Sequence, residues 1–148
     1  AMDMLSQYNS QVFIEVKDKV TLKDLEVLQR TFPNPKGKVI VISFNPSVLH
    51  GIKSHRKTVP YLNDVKLLLV IRDAKDAKDA KDANIYGLDG LDANSISRKQ
   101  VRRLNKQGML VGVYTKNDKR SIKKSLRKGV DFVTTNEYQL CHKIVQKY

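Results

Sequence analysis

An α/β chain built on a parallel sheet is what this sequence predicts, and three observations predict it. Short apolar, β-branched runs alternate with segments whose apolar residues recur at helical spacing. Capping residues stand where each helix would begin, and Gly or Pro where it would end. The strand runs are separated by helix-length stretches, as strands running in the same direction require. The 148 residues suit one domain with a single core, and 41% apolar content is that of a globular protein.

Val12 to Lys17 reads as the first strand. Thr21, with Asp24 three residues on, caps a helix whose apolar stripe is Leu22, Leu25, Leu28 and Phe32, and Pro33 and Pro35 end it. Lys38 to Phe44 is a second strand. Asn45 then serves as N-cap and Pro46 as first helical residue, with Val48, Leu49 and Ile52 facing inward. Lys66 to Ile71 reads as a third strand and Ile85 to Leu88 as a fourth. A helix starts at Asn94 or Ser95 and runs to about Gln107, where Gly108 closes it. Met109 to Thr115 is a fifth strand, and Asn117 or Asp118 caps a helix stopped by Gly129. Val130 to Thr134 is a sixth, and a helix over Glu137 to Gln146 finishes the chain.

Residues 73–84 interrupt this alternation as a low-complexity insertion, Asp-Ala-Lys three times and then Asp82-Ala83-Asn84. Its period of three drifts around a helix, and few apolar groups anchor it, which predicts a solvated helix or loop without function. The single cysteine, Cys141, excludes an intramolecular disulfide; beside Leu140, Ile144 and Val145 it reads as a small buried hydrophobe. His50, His55 and His142 lack zinc-ligand spacing. The longest apolar runs are strand-length and the polar start resembles no signal peptide, so the expectation is a soluble, cytoplasmic chain.

Two features point toward function. Glu15 and Lys17 stand two positions apart on an otherwise apolar strand, so both side chains share one face. Such a pair either lines an anion or metal site, because a lone buried charge is costly, or lies on the wet face of an edge strand whose buried face is Val12, Ile14 and Val16. The second feature is charge: from Asn94 to Lys128 twelve Lys and Arg stand against Asp118 alone, giving +11 of the chain's +13. With Ile96, Val101, Leu104, Ile122 and Leu126 turned to the sheet, these cations form one outward basic face. Arg98, Arg102, Arg103, Lys106, Lys119, Arg120, Lys123, Lys124 and Arg127 are its candidate polyanion contacts. It suits an anionic membrane surface or, less well because neither helix carries an aromatic, nucleic acid. The alternative is a solubilising face of a basic protein with no dedicated partner.

Taken in order, these pieces resemble the carboxy-terminal part of the glycerophosphodiester phosphodiesterase family. Phe13-Ile14-Glu15-Val16-Lys17 is similar to the family's apolar-Glu-x-Lys strand, and Val41-Ile42-Ser43-Phe44-Asn45 to its Ser-Phe strand end. Gly108 to Asn117 resembles its Gly, apolar strand and Trp-Thr-x-Asn, with Tyr114 in the aromatic place. Gly129-Val130-Asp131 followed by Thr135 resembles its final Gly-Val-Asp and strand-end Thr. The resemblance implies a single partial (β/α) barrel over residues 1–148, shortened relative to a TIM-type barrel. It implies Glu15 as ligand to a divalent cation, Ca or Mg, Lys17 as phosphodiester contact, and Ser43, Tyr114 and Thr135 as walls of a pocket at the strand ends.

The same resemblance exposes gaps. The family's His-Arg-Gly, its Glu-x-Asp metal pair and its second catalytic histidine are absent, and Asn136 and Tyr138 replace its last Asp and Pro. A phosphodiesterase of this kind needs a general base or nucleophile and an acid for the leaving alkoxide, so no catalytic residue is assigned. Glu15 alone should hold a cation weakly, and the chain alone should not hydrolyse glycerophosphodiesters. It reads as a fragment or degenerate copy; the alternative is a non-catalytic module for phosphate-bearing ligands. An unclosed barrel also exposes edges and interior, which predicts a second copy or a separately encoded amino-terminal half as partner, or else a rearranged closure of the short barrel.

Overall fold

Val12–Glu15 (β1), Val39–Ser43 (β2) and Lys66–Asp73 (β3) run parallel, each beside the next. They belong to a computed structural model that describes residues 11–73 and 87–147. The chain gathers into two compact units, one up to Leu69 and one from Val70, so that β3 begins in the first and ends in the second.

In the first unit β1 is followed by Leu22–Thr31 (α1) and β2 by Pro46–Ser54 (α2), with two 3-10 turns before β3. Both helix starts are those the sequence predicts. Thr21 Oγ1 accepts from the Asp24 amide while the Thr21 amide donates to Asp24 Oδ2 at 2.8 Å, a reciprocal cap. Asn45 Oδ1 accepts from the Ser47 amide ahead of Pro46. The register sets Val12 beside Val39 and Ile14 beside Val41, with Val41 beside Leu67 and Ser43 beside Leu69. By strand alternation these residues share one face. Ile14, Val16 and Val41 line a 160 Å³ cavity with Leu25 and Leu28 of α1 and Ile52 of α2, so this is the face the helices cover.

The second unit repeats the plan. Gly90–Ser95 (β4), Leu110–Val113 (β5) and Phe132–Val133 (β6) pair in parallel in that order. Arg98–Lys106 (α3), Lys119–Arg127 (α4) and Tyr138–Gln146 (α5) follow the strands in turn. Leu91, Ala93, Val111 and Val113 are buried on one face, along with Val101 and Leu104 of α3. Ile122, Cys141 and Ile144 form one cluster against which Leu126, Val133 and Leu140 pack, so Cys141 is a core residue as expected. Gly108 takes φ +79° after α3, and the Met109 and Gly108 amides return to the Leu104 and Asn105 carbonyls. That left-handed closure strains any residue with a Cβ.

Several boundaries differ from expectation. The fourth strand is Gly90–Ser95, not Ile85 to Leu88; Leu88 only precedes it, and Ile85 lies outside the described residues. A Gly-Leu-Asp-Ala-Asn-Ser run has little β-propensity of its own, and pairing with Leu110–Val113 imposes the strand. The helix after it is capped by Ser97, not Asn94 or Ser95, because only Ser97 has Gln100 at the position that completes both reciprocal cap bonds. The fifth and sixth strands are trimmed to Leu110–Val113 and Phe132–Val133. Apart from Asp73, which ends β3, the Asp-Ala-Lys insertion lies outside the described residues.

Replacing Thr21 with Ala removes one half of the α1 cap and should lower stability by about 1 kcal/mol, read as a lower urea midpoint with unchanged slope.

Candidate active site

Strand alternation separates Glu15 from the helices. Phe13 and Glu15 of β1 stand beside Ile40 and Ile42 of β2, on the face opposite the one that packs on α1 and α2, and Lys17 and Phe44 continue that face past the strand ends. Glu15 and Lys17 are both exposed, Phe13 and Ile42 are half-buried, and Phe44 is 56% exposed. The acid and the amine therefore share a helix-free face with apolar neighbours. The 160 Å³ cavity lies on the other face, and a second cavity is lined by Lys19, Val20 and residues of α2. Neither cavity is lined by Glu15 or Lys17.

Ser43 goes the other way. It is buried in register with Leu69 on the helix-covered side, and its Oγ accepts from the Asn45 amide at 3.1 Å, tying the strand end to the α2 cap. The parity of β2 thus sets Ser43 on the face opposite Glu15.

In the second unit, Tyr114 and Thr135 follow β5 and β6. The Tyr114 hydroxyl donates to the Ile71 carbonyl at 2.8 Å. Burial, and next the nearby charge of Asp92, raise its pKa, while Arg72 opposes them. Thr135 is held in a local tie: its hydroxyl reaches Asn117 Oδ1, it accepts from the Glu137 amide, and the Asn136 amide donates to the same Asn117 oxygen at 2.8 Å. Asn117, in the place of the Asn that ends the resembled Trp-Thr-x-Asn, thereby fastens the two strand exits together.

The residue that sequence reasoning missed is Asp92. It is 1% exposed in the middle of β4, and among the described residues neither carboxylate oxygen has a hydrogen-bond partner. Burial alone pushes its pKa up to about 7. Its register neighbour is Gly112, and a Cβ there would lie 2.8 Å from Asp92 Oδ1, so the glycine leaves the space the carboxylate fills. Asp92 shares its face with Gly112 and Phe132, opposite the one on which Leu91 and Val111 are buried. The one signal was an acid alternating with Leu91 and Ala93, which the misplaced fourth strand left in a loop. Arg72, exposed near the end of β3, was missed for want of any motif around it.

Of the basic residues, Arg98, Arg102, Arg103 and Lys106 on α3 and Lys119, Arg120, Lys124 and Arg127 on α4 are exposed, and Lys123 is half-buried. Val101, Leu104 and Ile122 of the same helices are buried, as the amphipathic pattern requires. Among the described residues no three His, Cys, Asp or Glu side chains are grouped to hold a metal ion. Glu15 offers a single carboxylate, so the residues present do not by themselves fit a Ca or Mg site. No helix among the described residues is long and apolar enough to cross a membrane.

The sequence matches the glycerophosphoryl diester phosphodiesterase family over residues 1–140. No curated protein matches it. Among solved structures it is similar to a putative glycerophosphoryl diester phosphodiesterase from Silicibacter pomeroyi DSS-3. The TM-score is 0.72 at 14% identity, covering 99% of this chain and 54% of that one. It is also similar to a phosphodiesterase from Oleispira antarctica in complex with sn-glycerol-3-phosphate, with TM-score 0.72 and 18% identity over 98% of this chain and 59% of that one. A glycerophosphodiester phosphodiesterase from Parabacteroides distasonis gives 0.61 at 18% identity, covering 93% and 58%. At these identities the likeness establishes the fold, the partial (β/α) barrel expected from the sequence. The chain spans little more than half the length of these neighbours.

The buried acid sets a pH dependence. The unfolded chain releases the Asp92 proton near 3.8 and the folded chain near 7, so between those values the folded state binds more protons and stability falls as pH rises. The loss should reach up to about 4 kcal/mol across that window. Asp24 and Asp118, whose pKa values are lowered chiefly by amide donors from their helix caps, act in the opposite sense and only at lower pH. Asp92→Asn should flatten the decline, measured as urea midpoints at pH 4.5, 6 and 8; an unchanged slope would show that the carboxylate ionises freely.

Proposed function

The chain belongs to the glycerophosphoryl diester phosphodiesterase family, and on that premise we propose that it forms the phosphate-binding later half of a glycerophosphodiester phosphodiesterase. Hydrolysis of the diester to glycerol phosphate and an alcohol then waits on an acid–base half supplied from outside this chain. One observation carries the proposal: Glu15 and Lys17 lie together on the helix-free face of β1, beside half-covered apolar residues.

Lys17 supplies a mobile point charge for a non-bridging phosphoryl oxygen. Glu15 supplies one ligand to a cation whose remaining ligands come from elsewhere. Lys17 and Glu15 can bind and orient a phosphodiester; in this reading the base or nucleophile and the dedicated acid that hydrolysis also needs come from outside this chain. None of the three histidines stands in a His-Arg-Gly motif. His50 lies within α2 and His55 just after it, while His142 on α5 stacks on Tyr138 and hydrogen-bonds Gln146. Losing a general acid or base typically forfeits a factor of roughly 10² to 10⁴, which accounts for an inactive single chain.

The length ratio to the solved neighbours and the exposed Phe44 support a covering partner, either a complementary half or a second copy. We place the chain in the cytoplasm, where a lone buried thiol such as Cys141 stays reduced. The substrate class follows that of the family and the glycerol phosphate bound to the Oleispira antarctica neighbour.

Titrating sn-glycerol 3-phosphate into the labelled chain should move the amide signals of residues 15–17, and Lys17→Met should weaken that binding about tenfold. The isolated chain should release no glycerol phosphate from a glycerophosphodiester with added Ca or Mg. Turnover by the single chain would refute its dependence on a second half, and unmoved signals at the end of β1 would refute the site.

A further inference from the structure

A second set of cations is gathered far more tightly than the outward face of α3 and α4 requires. Lys116, just past β5, donates from Nζ to the Asn94 carbonyl at 2.9 Å. Lys128, capping the end of α4, donates from Nζ to the Ile96 carbonyl at 2.7 Å. Those carbonyls are two residues apart, so their carbons are separated by no more than about 7 Å. Lys124 stands one helical turn before Lys128, on the same side of α4. Burial, then the charges of Lys124 and Lys116, lower the pKa of Lys128.

Like charges brought this close repel, and two of the three are fixed in place by backbone acceptors. Each fixed ammonium spends one of its three donors on a carbonyl and keeps two. The entropy of ordering two long side chains is thus already lost before any ligand arrives. An anion seated among them would relieve the repulsion and take up the spare donors. The ammonium is a compact point charge, suited to the spread oxygens of a phosphate group and unsuited to the planar two-point grip that favours Arg with carboxylates.

We propose that Lys116, Lys124 and Lys128 form a phosphate-anion site beside the loop that joins β4 to α3, independent of the face carrying Glu15 and Lys17. Its ligand is a phosphate group, either free in solution as a phosphomonoester or presented as a lipid headgroup.

Inorganic phosphate titrated against chloride at constant ionic strength should shift the amide signals of residues 94–98 saturably. Lys124→Met, which leaves both carbonyl bonds intact and so tests a folded protein, should weaken that response about tenfold. The Lys116→Met, Lys128→Met double variant should abolish it, while Lys17→Met should leave it unchanged. Vesicles of phosphatidylglycerol and of phosphatidylcholine separate the sources. Lys124-dependent retention on the former assigns the headgroup; a response to phosphate without retention assigns the free anion. No saturable shift in the wild-type protein, or one that Lys124→Met leaves intact, would overturn the site; a response lost only in Lys17→Met would assign the anion to the β1 face instead.

Discussion

The period-two alternation of short parallel strands is the constraint from which the rest follows. Parallel strands are ordinarily covered on both faces or closed into a barrel, and in each unit the helices bury one face with Val39, Val41 and Leu69, or with Leu91, Val111 and Val113. Whatever has the opposite parity is left to other uses. That parity puts Glu15 and Lys17 on a helix-free side, sends Ser43 into the helix layer, and sets Asp92 opposite Leu91. A shift of one residue in any register would exchange these roles.

Charge is distributed with the same economy. A chain of net charge +13 has cations enough to pair each of its acids. Asp24 and Asp118 instead serve helix caps, Asp131 accepts from the Val111 amide, and Asp92 sits where no donor among the described residues reaches it. The positive charge is divided as well. The net charge is concentrated on α3 and α4, largely in solvent, where screening makes each residue interchangeable with its neighbours. Of the cations between Asn94 and Lys128, Lys116 and Lys128 are fastened to backbone carbonyls. Position, more than number, distinguishes a defined site from a solvated surface.

How much of this could be read from the sequence depended on whether the determinant was local. The α1 and α2 caps, the glycine closures after α3 and α4, and the burial of Cys141 are set by a few neighbouring residues, and all were legible. The β4 strand was not, because Gly90 to Ser95 becomes a strand only through pairing with residues about twenty positions away. That one displacement hid Asp92 and moved the expected start of α3. In the candidate site, the shared face of Glu15 and Lys17 followed from spacing. The separation of Ser43 from them was equally implicit in parity, but a motif-based comparison of strand ends carries no parity.

Asp92 and Gly112 hold a further consequence. The carboxylate occupies the space a methyl group at position 112 would need, so the two positions answer to each other and not to the solvent. In lineages that keep an acid at the first, the second is confined to the smallest amino acid. Where the acid gives way to a smaller side chain, that confinement lifts and alanine or serine becomes admissible, so the pair should vary jointly as the family diverges.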